Sequence, residues 1–192
     1  GGGGKGMRVV YRESELQNSI EAVIREAQSS FKDDDVIIEK YVKGGKHIEI
    51  QIARDDHGSC IHLFERDCSS QRRYQKVIEE APSLSIPEVT KQKMYKAAID
   101  IANKIDYQSL GTIEFIVDVQ SSQSEPPFFF LEMNTRLQVE HPVTEEILDM
   151  DLVELQINIA LGKRLNIEQD ELRPSGHAIE ARIYAEDPKN DF

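Results

Sequence analysis

Apolar residues recur three or four positions apart near the start of the chain: Leu16, Ile20, Val23, Ile24 and Ala27. This spacing places them on one side of an α-helix and predicts an amphipathic helix over residues 14–27. Ser14, followed three positions later by Gln17, has the spacing of a capping box. We therefore expect the helix to begin at Ser14.

The next segments alternate with the period of β-strands. Residues 36–42 predict one strand, and Gly44 with Gly45 predicts a turn into a second. In the second strand, residues 47–52, isoleucines alternate with polar side chains, so we expect one face in the core and the other in solvent. A further strand is predicted over residues 60–64.

The remaining pattern mixes helices with hairpin strands. In chain order it predicts a functional loop over residues 65–82, a helix over 87–105, hairpin arms over 112–119 and 128–134, a helical segment over 145–161 broken near residues 149–151, and a strand over 177–185. Strands paired in hairpins with helices between them favour an α+β fold over a doubly wound parallel sheet.

Composition and charge narrow the function classes. The chain has 192 residues, 39% of them hydrophobic, which is enough for a core. With 23 Lys and Arg against 35 Asp and Glu, the net charge of −12 disfavours a nucleic-acid or membrane-surface partner. No apolar run approaches the roughly 20 residues of a transmembrane helix. Cys60 and Cys68 fit neither a disulfide framework nor a four-ligand zinc site and indicate a reducing compartment.

Two glutamates in the predicted hairpin suggest a metal site. If the turn is symmetric about Gln123, Glu114 lies directly opposite Glu132. Two carboxylates in this position repel each other unless a cation lies between them. Mg²⁺ or Mn²⁺, with a nucleotide phosphate as a further ligand, would remove the conflict. The alternative is a solvated face on which both carboxylates point into water.

Polar residues of one parity continue beyond this hairpin: Glu132, Asn134, Arg136, Gln138 and Glu140. If the chain stays extended, these side chains project to one side. The set resembles a site for a small anion beside a metal. Arg136 would bind an oxyanion, and Glu140 is a candidate base.

Other candidates are ambiguous on pattern alone. Residues 1–7 are glycine-rich around Lys5 and suit either a phosphate-cradling loop or a linker. His47 and His141 are interpreted, from spacing alone, as histidines with protein partners. Lys76 belongs to a basic segment that is either a solvated loop or an anion site.

Seven segments carry a family resemblance: GGGGKGM at residues 1–7, EKYV at 39–42, HIEIQ at 47–51, ERDCSSQRRYQKVIEEAP at 65–82, GTIEF at 111–115, FLEMNTRLQVEHPVTE at 130–145 and HAIEARIYAEDP at 177–188. Together they resemble biotin carboxylase, an ATP-grasp ligase, over essentially the whole chain. The tail and the EEAP ending are most similar to the biotin-containing subunits of acyl-CoA carboxylases, such as the methylcrotonoyl-CoA, propionyl-CoA or acetyl-CoA type.

The resemblance implies a partial ATP-grasp fold of the α+β class. Residues 1–42 would be the end of the lid subdomain, and residues 43–192 most of the antiparallel-sheet catalytic subdomain. The implied reaction has two steps. ATP phosphorylates bicarbonate to carboxyphosphate, and the carboxyl group then passes to N1′ of biotin on a carrier domain.

The resemblance also implies a role for each matching residue. The nucleotide would bind to Gly2, Gly3, Gly4, Lys5, Gly6, Met7, Glu39, Lys40, Val42, His47 and Gln71. Magnesium or manganese would bind to Glu114, Glu132 and Asn134. Bicarbonate and biotin would bind to Lys76, Arg136, Gln138, the Val139 backbone and Arg182. Among these, Lys76 and Arg136 would also assist catalysis, Glu140 would deprotonate bicarbonate, and Arg182 would stabilise the biotin enolate or the carboxyphosphate charge. Tyr74 departs from the family pattern, because many relatives have histidine there.

The implied cofactors are ATP, Mg²⁺ or Mn²⁺ and carrier-bound biotin. The implied partners are a biotin carboxyl carrier domain, a carboxyltransferase subunit or domain and, in the full-length protein, further copies of the chain. The compartment would be the cytoplasm or the mitochondrial matrix. The abrupt ends suggest a central fragment, and we expect these residues alone to be inactive.

Two alternatives remain at this point. The same module occurs in urea amidolyase, pyruvate carboxylase and, more remotely, carbamoyl-phosphate synthetase. From a different class, a non-catalytic nucleotide-binding module could keep the fold. Intact Glu140 and Arg182 disfavour it, since binding alone needs neither.

Overall fold

A computed structural model describes residues 6–121 and 123–190. The chain divides into two compact units. The first contains Gly1–Val42 and Gln71–Gln75, and the second contains Lys43–Ser70 and Lys76–Phe192. The assignment of residues 1–42 and 43–192 to lid and catalytic subdomains stays a prediction.

The first unit contains the predicted amphipathic helix, α1, over Leu16–Phe31. The predicted capping box is wrong. Ser14 lies inside a 3₁₀ turn, Glu13–Glu15, and the residue that precedes the helix is Glu15, which makes no side-chain capping bond. The serine is thus too far ahead of α1 to accept from its first turn.

The predicted strand over residues 36–42 is also wrong. This segment belongs to no strand among the described residues, and Ile37 and Ile38 are exposed. An extended segment without a neighbouring strand leaves its backbone groups to water. The apolar run therefore predicted a strand, but residues 36–42 pair with no neighbouring strand among the described residues.

The second unit is built on one six-stranded sheet with the order β5-β4-β1-β2-β3-β6. Its strands are β1 Lys46–Arg54, β2 Cys60–Arg72, β3 Gln75–Ala81, β4 Ser109–Val117, β5 Phe128–Asn134 and β6 Ala178–Ala181. Its helices are α2 Glu88–Lys104, α3 His141–Leu148 and α4 Leu152–Ala160, with 3₁₀ turns at Gln169–Glu171 and Pro188–Asn190. The β1–β2, β1–β4, β4–β5 and β3–β6 pairs are antiparallel. Among the described residues, no helix is both long enough and apolar enough to cross a membrane.

The predicted loop over residues 65–82 is wrong. It consists of the second half of β2 and all of β3, joined at Arg73 and Tyr74. Both joining residues have positive φ, 52° and 65°, as in the two-residue turns that match the twist of a hairpin. The period-2 signal is hidden because β2 carries buried charged residues on both faces, including Glu65 and Arg66.

Two other elements differ in extent from their predictions. The helical segment starts at His141, with Pro142 in its first turn, and it breaks where predicted. Asp149 takes a left-handed conformation at the end of α3, and Asp151 accepts a 2.7 Å bond from the Glu154 amide to begin α4. Strand β6 ends at Ala181, where its register with β3 ends.

One face of the sheet forms the main core. Ile48, Ile50 and Ile52 of β1 are fully buried and belong to one cluster with Met94 and Ala98 of α2. The predicted alternation of β1 is confirmed. The predicted solvent exposure of its other face is wrong, because the polar side chains there are buried as well. That buried polar face positions the candidate site.

Candidate active site

A row of charged residues crosses the buried polar face of the sheet. Glu132 of β5 lies opposite Glu114 of β4, Glu114 lies opposite Glu49 of β1, and Glu49 lies opposite Arg66 of β2. The predicted pairing of Glu114 with Glu132 is thereby confirmed, although the register shifts just beyond Glu114. Three neighbouring carboxylates repel each other unless positive or donor groups lie among them.

Lys76 of β3 supplies the positive charge at the centre of this row. Its Nζ donates to Glu114 Oε1 at 2.8 Å, to Glu140 Oε1 at 2.6 Å and to Glu49 Oε2. All three ammonium donors are therefore used by carboxylates. Burial lowers the pKa of Lys76, but the surrounding carboxylates outweigh it and raise that pKa above its ordinary value. We call Glu49, Lys76, Glu114 and Glu140 the lysine-centred cluster.

Arg66 is a second, fully buried cation. Its guanidinium donates to Glu49 Oε1, Gln51 Oε1 (2.8 Å), Thr144 Oγ1 (3.0 Å), Thr112 Oγ1 (3.2 Å) and Gln138 Oε1 (3.3 Å). These contacts link β1, β2, β4 and α3. Burial raises the pKa of Glu49, but Arg66 and Lys76 outweigh it and hold that pKa below its ordinary value.

Sequence reasoning missed Glu49 and the buried position of Arg66. The available signal was the alternation of His47, Glu49 and Gln51 on one strand face. That pattern was interpreted as solvent-facing. Contacts from distant segments, among them Thr144 of α3 and Gln138 on Arg66, accompany the burial of these groups.

Both carboxylate oxygens of Glu114 are engaged. Oε2 accepts from His47 Nε2 at 2.6 Å, and Oε1 accepts from Asn134 Nδ2 and Gln138 Nε2, each at 2.9 Å, as well as from Lys76. Burial raises the pKa of Glu114, but the His47 hydrogen bond and the Lys76 charge lower it by more, so the pKa lies below its ordinary value. The interpretation of His47 as a partnered histidine is confirmed.

The predicted metal ligands lie together. Asn134 Nδ2 is 2.9 Å from Glu114 Oε1 and 3.2 Å from Glu132 Oε1, so the amide lies between the two carboxylates. A rotated amide would present Oδ1 instead. Two carboxylates and an amide oxygen are hard donors of the kind that Mg²⁺ and Mn²⁺ prefer. The chemistry of these residues therefore fits a divalent cation.

Glu140 is held between two cations. It directly precedes α3 and is almost fully buried. Its Oε1 accepts from Lys76, and its Oε2 accepts from Arg182 Nη2 at 2.7 Å. Arg182 Nε also donates to Glu79 Oε1 at 2.6 Å. The candidate base and the candidate biotin-site arginine are thus in direct contact.

The predicted extended row beyond Glu132 is only partly correct. Strand β5 ends at Asn134, and the chain turns before α3, so the shared parity is lost. Gln138 and Glu140 still reach the lysine-centred cluster. Arg136 does not, because its described hydrogen bonds are to Leu137 O at 3.3 Å and Asn134 Oδ1 at 3.4 Å. The side chain of Val139 is exposed.

The other predicted nucleotide residues belong to the first unit. Gly2, Gly3, Gly4 and Lys5 lie outside the described residues. Gly6 has φ +71° and donates its amide to Glu26 Oε1 at 3.1 Å. Of the rest, Met7, Glu39 and Lys40 are exposed, whereas Val42 and Gln71 are half-buried. Their roles stay predictions.

Comparison with known proteins identifies the family. The model of the ATP-binding domain of the carbamoyl-phosphate synthase L chain matches residues 1–168. The chain belongs to this family. It is 53% identical over 192 residues to the mitochondrial methylcrotonoyl-CoA carboxylase subunit alpha of Dictyostelium discoideum, covering all of this chain and 27% of that protein. It is 52% identical over 192 residues to biotin carboxylase 2 of Bacillus subtilis, covering 100% of this chain and 42% of that protein.

Solved structures give the same answer. The biotin carboxylase of Campylobacter jejuni aligns with a TM-score of 0.91 and 44% identity, covering 98% of this chain and 41% of that chain. The predicted ATP-grasp fold, the resemblance to biotin carboxylase and the assignment to the ATP-dependent ligases are confirmed at the level of the family. The chain spans about a quarter to two fifths of the length of these relatives.

Proposed function

We propose that this chain contributes to the ATP-dependent carboxylation of biotin by bicarbonate, through carboxyphosphate. We place it in the biotin carboxylase part of an acyl-CoA carboxylase. The observation that carries the proposal is the buried carboxylate of Glu140 between Lys76 and Arg182. A module that only binds nucleotide needs no carboxylate held between two cations, whereas deprotonation of bicarbonate needs a base beside anion-binding groups.

Glu140 accepts the bicarbonate proton in this proposal. Both of its oxygens are engaged, so a substrate proton reaches it only when one cation exchanges partners. Arg182 is the more accessible of the two cations, with 21% of its side chain exposed against 11% for Lys76. We therefore assign the exchange to Arg182, which turns toward the incoming anion and leaves Oε2 to accept the proton.

Lys76, Arg136, Gln138 and the Val139 backbone bind bicarbonate in this proposal. Among the described residues, the Arg136 guanidinium donates to neutral oxygens, so its rotation onto an anion breaks no ion pair. Lys76 donates to Glu49, Glu114 and Glu140, so it binds the anion by exchanging one of these contacts and orients the anion toward Glu140. Such positioning supplies much of the rate in phosphoryl transfer.

The nucleotide and metal roles follow the same proposal. Glu114, Glu132 and Asn134 hold Mg²⁺ or Mn²⁺, which when bound neutralises the charge of the ATP phosphates. The nucleotide-binding roles of residues 2–7, Glu39, Lys40, Val42, Gln71 and His47 stay those that the family resemblance implies. His47 would reach it from a position in which Glu114 orients its ring.

The proposed carboxyl acceptor and partners are inferred from the relatives of this chain. The chain is 53% identical to a methylcrotonoyl-CoA carboxylase subunit and 51% identical to a propionyl-CoA carboxylase alpha chain, whereas two solved pyruvate carboxylase chains are 40% and 46% identical, which favours an acyl-CoA carboxylase. We accordingly propose a biotin carboxyl carrier domain, a carboxyltransferase and further copies of the chain as partners. The cytoplasmic or mitochondrial location stays a prediction.

The test is ATP cleavage by the natural protein that carries this chain. With Mg²⁺, we expect cleavage that requires bicarbonate and rises with free biotin. In Arg182→Ala, the stimulation by biotin should disappear while ATP binding persists. ATP binding without bicarbonate-dependent cleavage in the unmodified protein would contradict the proposal and favour a binding module.

A further inference from the structure

Two glutamates at the edge of the sheet form a second acidic arrangement, which the mechanism above does not use. Glu79 of β3 lies directly opposite Glu180 of β6. Glu79 is fully buried and Glu180 is half-buried. We call Glu79 and Glu180 the edge pair. Neither residue was a predicted site residue: β3 was interpreted as a loop, and Glu180, on a predicted strand, had no assigned role.

Each member of the edge pair has one buried oxygen that lacks a hydrogen-bond donor among the described residues. These atoms are Oε2 of Glu79 and Oε2 of Glu180. Buried carboxylate oxygens without donors are costly, and two carboxylates directly across a ladder also repel each other. A single proton held between them removes both costs, because a protonated carboxyl donates one hydrogen bond.

The charges around the edge pair favour such a proton. Arg182 is the cation that contacts Glu79, through Nε at 2.6 Å, and it is shared with Glu140 through Nη2 at 2.7 Å. The other charged groups acting on Glu180 are Glu140, His141 and Arg66. One arginine thus serves several carboxylates. Burial, partly offset by Arg182, raises the pKa of both Glu79 and Glu180.

From this geometry we propose that Glu180 is protonated in the working enzyme and donates to Glu79, so that the pair holds Arg182 through Nε while Nη2 stays free to exchange between Glu140 and the incoming anion. The assignment of the proton to Glu180 follows from Arg182 Nε, since a guanidinium donor favours the ionised form of Glu79. Glu79 and Glu180 are then positioning residues that act through Arg182. The positioning role rests on the proposed function. The proton shared by Glu79 and Glu180 rests only on the geometry of the edge pair.

The proton is tested by infrared difference spectroscopy on the natural protein with isotope-labelled glutamate at neutral pH. The spectrum of unmodified protein minus Glu180→Gln should contain a carboxylic acid band, and so should that of unmodified protein minus Glu79→Gln. Glu80→Gln is the matched control. Glu80 is the next residue of β3, where it pairs with His177 at the surface, and its replacement should remove no such band.

A spectrum in which neither edge-pair replacement removes a carboxylic acid band would overturn the proposal. If one variant does not fold, the other decides, because the proton requires both partners. If both fail to fold, the carboxyl titration of the unmodified protein decides. A glutamate that ionises only above the ordinary range supports the pair, and its absence contradicts it.

The positioning role is tested separately by kinetics. Glu180→Ala should lower kcat for biotin-stimulated ATP cleavage about tenfold, as expected for the loss of one buried hydrogen bond, with KM for ATP within about twofold. Glu180→Gln, which donates from an amide, should restore most of that loss. Equal losses in both variants would contradict the role. A carboxylic acid band in a protein without bicarbonate-dependent cleavage would contradict the proposed function and leave the pair standing.

Discussion

The buried polar face contains two carboxylate clusters that behave in opposite ways. In the lysine-centred cluster, the pKa values of Glu49 and Glu114 lie below their ordinary range, although burial alone would raise them. In the edge pair, the pKa values of Glu79 and Glu180 lie above it. In both clusters two carboxylates lie directly opposite each other on neighbouring strands of the same sheet, Glu49 with Glu114 and Glu79 with Glu180.

The difference lies in the number of cations at each place. Glu49 accepts from two cations, Arg66 and Lys76. Glu79 accepts from one, Arg182, and Arg182 also pairs with Glu140. Burial penalises the charged form of every carboxylate. Where nearby cations outweigh that penalty the pKa falls, and where they do not the pKa rises. The same side chain is therefore an anion at the centre of the sheet and a candidate acid at its edge.

The largest expected effect is the loss of Arg66. Arg66→Met removes the donor of Glu49 Oε1 and of four further buried acceptors, leaving Lys76 as the cation on Glu49, and should reduce the free energy of unfolding by about 3–5 kcal/mol. Arg182→Met should cost less, about 1.5–3 kcal/mol, because Glu79 can take up a proton when its cation is removed. Urea unfolding of the natural protein measures both. Arg164→Met, at an exposed position, is the control. Equal costs for Arg66 and Arg182 would remove the distinction between the clusters.

Lys76→Met comes next. It leaves Glu49, Glu114 and Glu140 without their shared cation and should cost about 3 kcal/mol of unfolding free energy. It should also lower bicarbonate-dependent ATP cleavage by at least about a hundredfold. Lys96→Met is the control, since Lys96 forms an exposed pair with Asp100, and it should change stability by less than about 0.5 kcal/mol. A folded, fully active Lys76→Met protein would refute the role of Lys76.

A smaller effect separates the clusters by pH. Because the folded pKa of Glu114 is lowered, its stabilisation is present at neutral pH and is lost as the pH falls through that pKa. Because the folded pKa of Glu180 is raised, its stabilisation is present at low pH and is lost as the pH rises through that pKa. Glu180→Gln should therefore lose less stability than the unmodified protein between about pH 5 and pH 7.

This pH dependence is measured by urea unfolding at both pH values. Glu80→Gln provides the comparison, and its pH dependence should match that of the unmodified protein. An unchanged pH dependence in Glu180→Gln would show that Glu180 is ionised throughout, like Glu114.

The smallest effect on stability is expected at the outer end of the charged row. Glu132 is exposed, so Glu132→Gln should change the free energy of unfolding by less than about 0.5 kcal/mol. It should nevertheless raise the Mg²⁺ concentration needed for ATP cleavage about tenfold, because it removes one carboxylate ligand. Glu114→Gln should change both quantities. An unaltered Mg²⁺ requirement in Glu132→Gln would remove Glu132 from the metal site.

Local pattern was sufficient for part of this architecture. The pairing of Glu114 with Glu132 was predicted correctly, although the pairs nearer the turn are offset by one residue and the irregularity beside Glu114 restores the predicted register. The isoleucine alternation of β1 follows from the pleat. The family motifs supplied the fold and the candidate base. These features depend on residues near each other in sequence or on whole-chain similarity, so they could be predicted before the structure was considered.

The features that were missed depend on distant parts of the chain. Glu49 was predicted to face solvent and Arg66 to lie in a loop, but both are buried, and Arg66 contacts Thr144 of α3. The edge pair required β6 to pair with β3, and the Arg182–Glu79 contact joins residues 103 positions apart. Buried charge on both faces of β2 erased the periodicity on which strand prediction relies.

We propose above that Glu140, held between Lys76 and Arg182, accepts the bicarbonate proton. The most direct measurement is single-turnover ATP cleavage by the natural protein with saturating Mg²⁺ and bicarbonate, comparing the unmodified protein with Glu140→Gln and with Glu146→Gln, an exposed glutamate of α3. We expect a loss of at least about a hundredfold in Glu140→Gln, with ATP still bound, and none in Glu146→Gln. Bicarbonate-dependent cleavage at the unmodified rate in Glu140→Gln would contradict it.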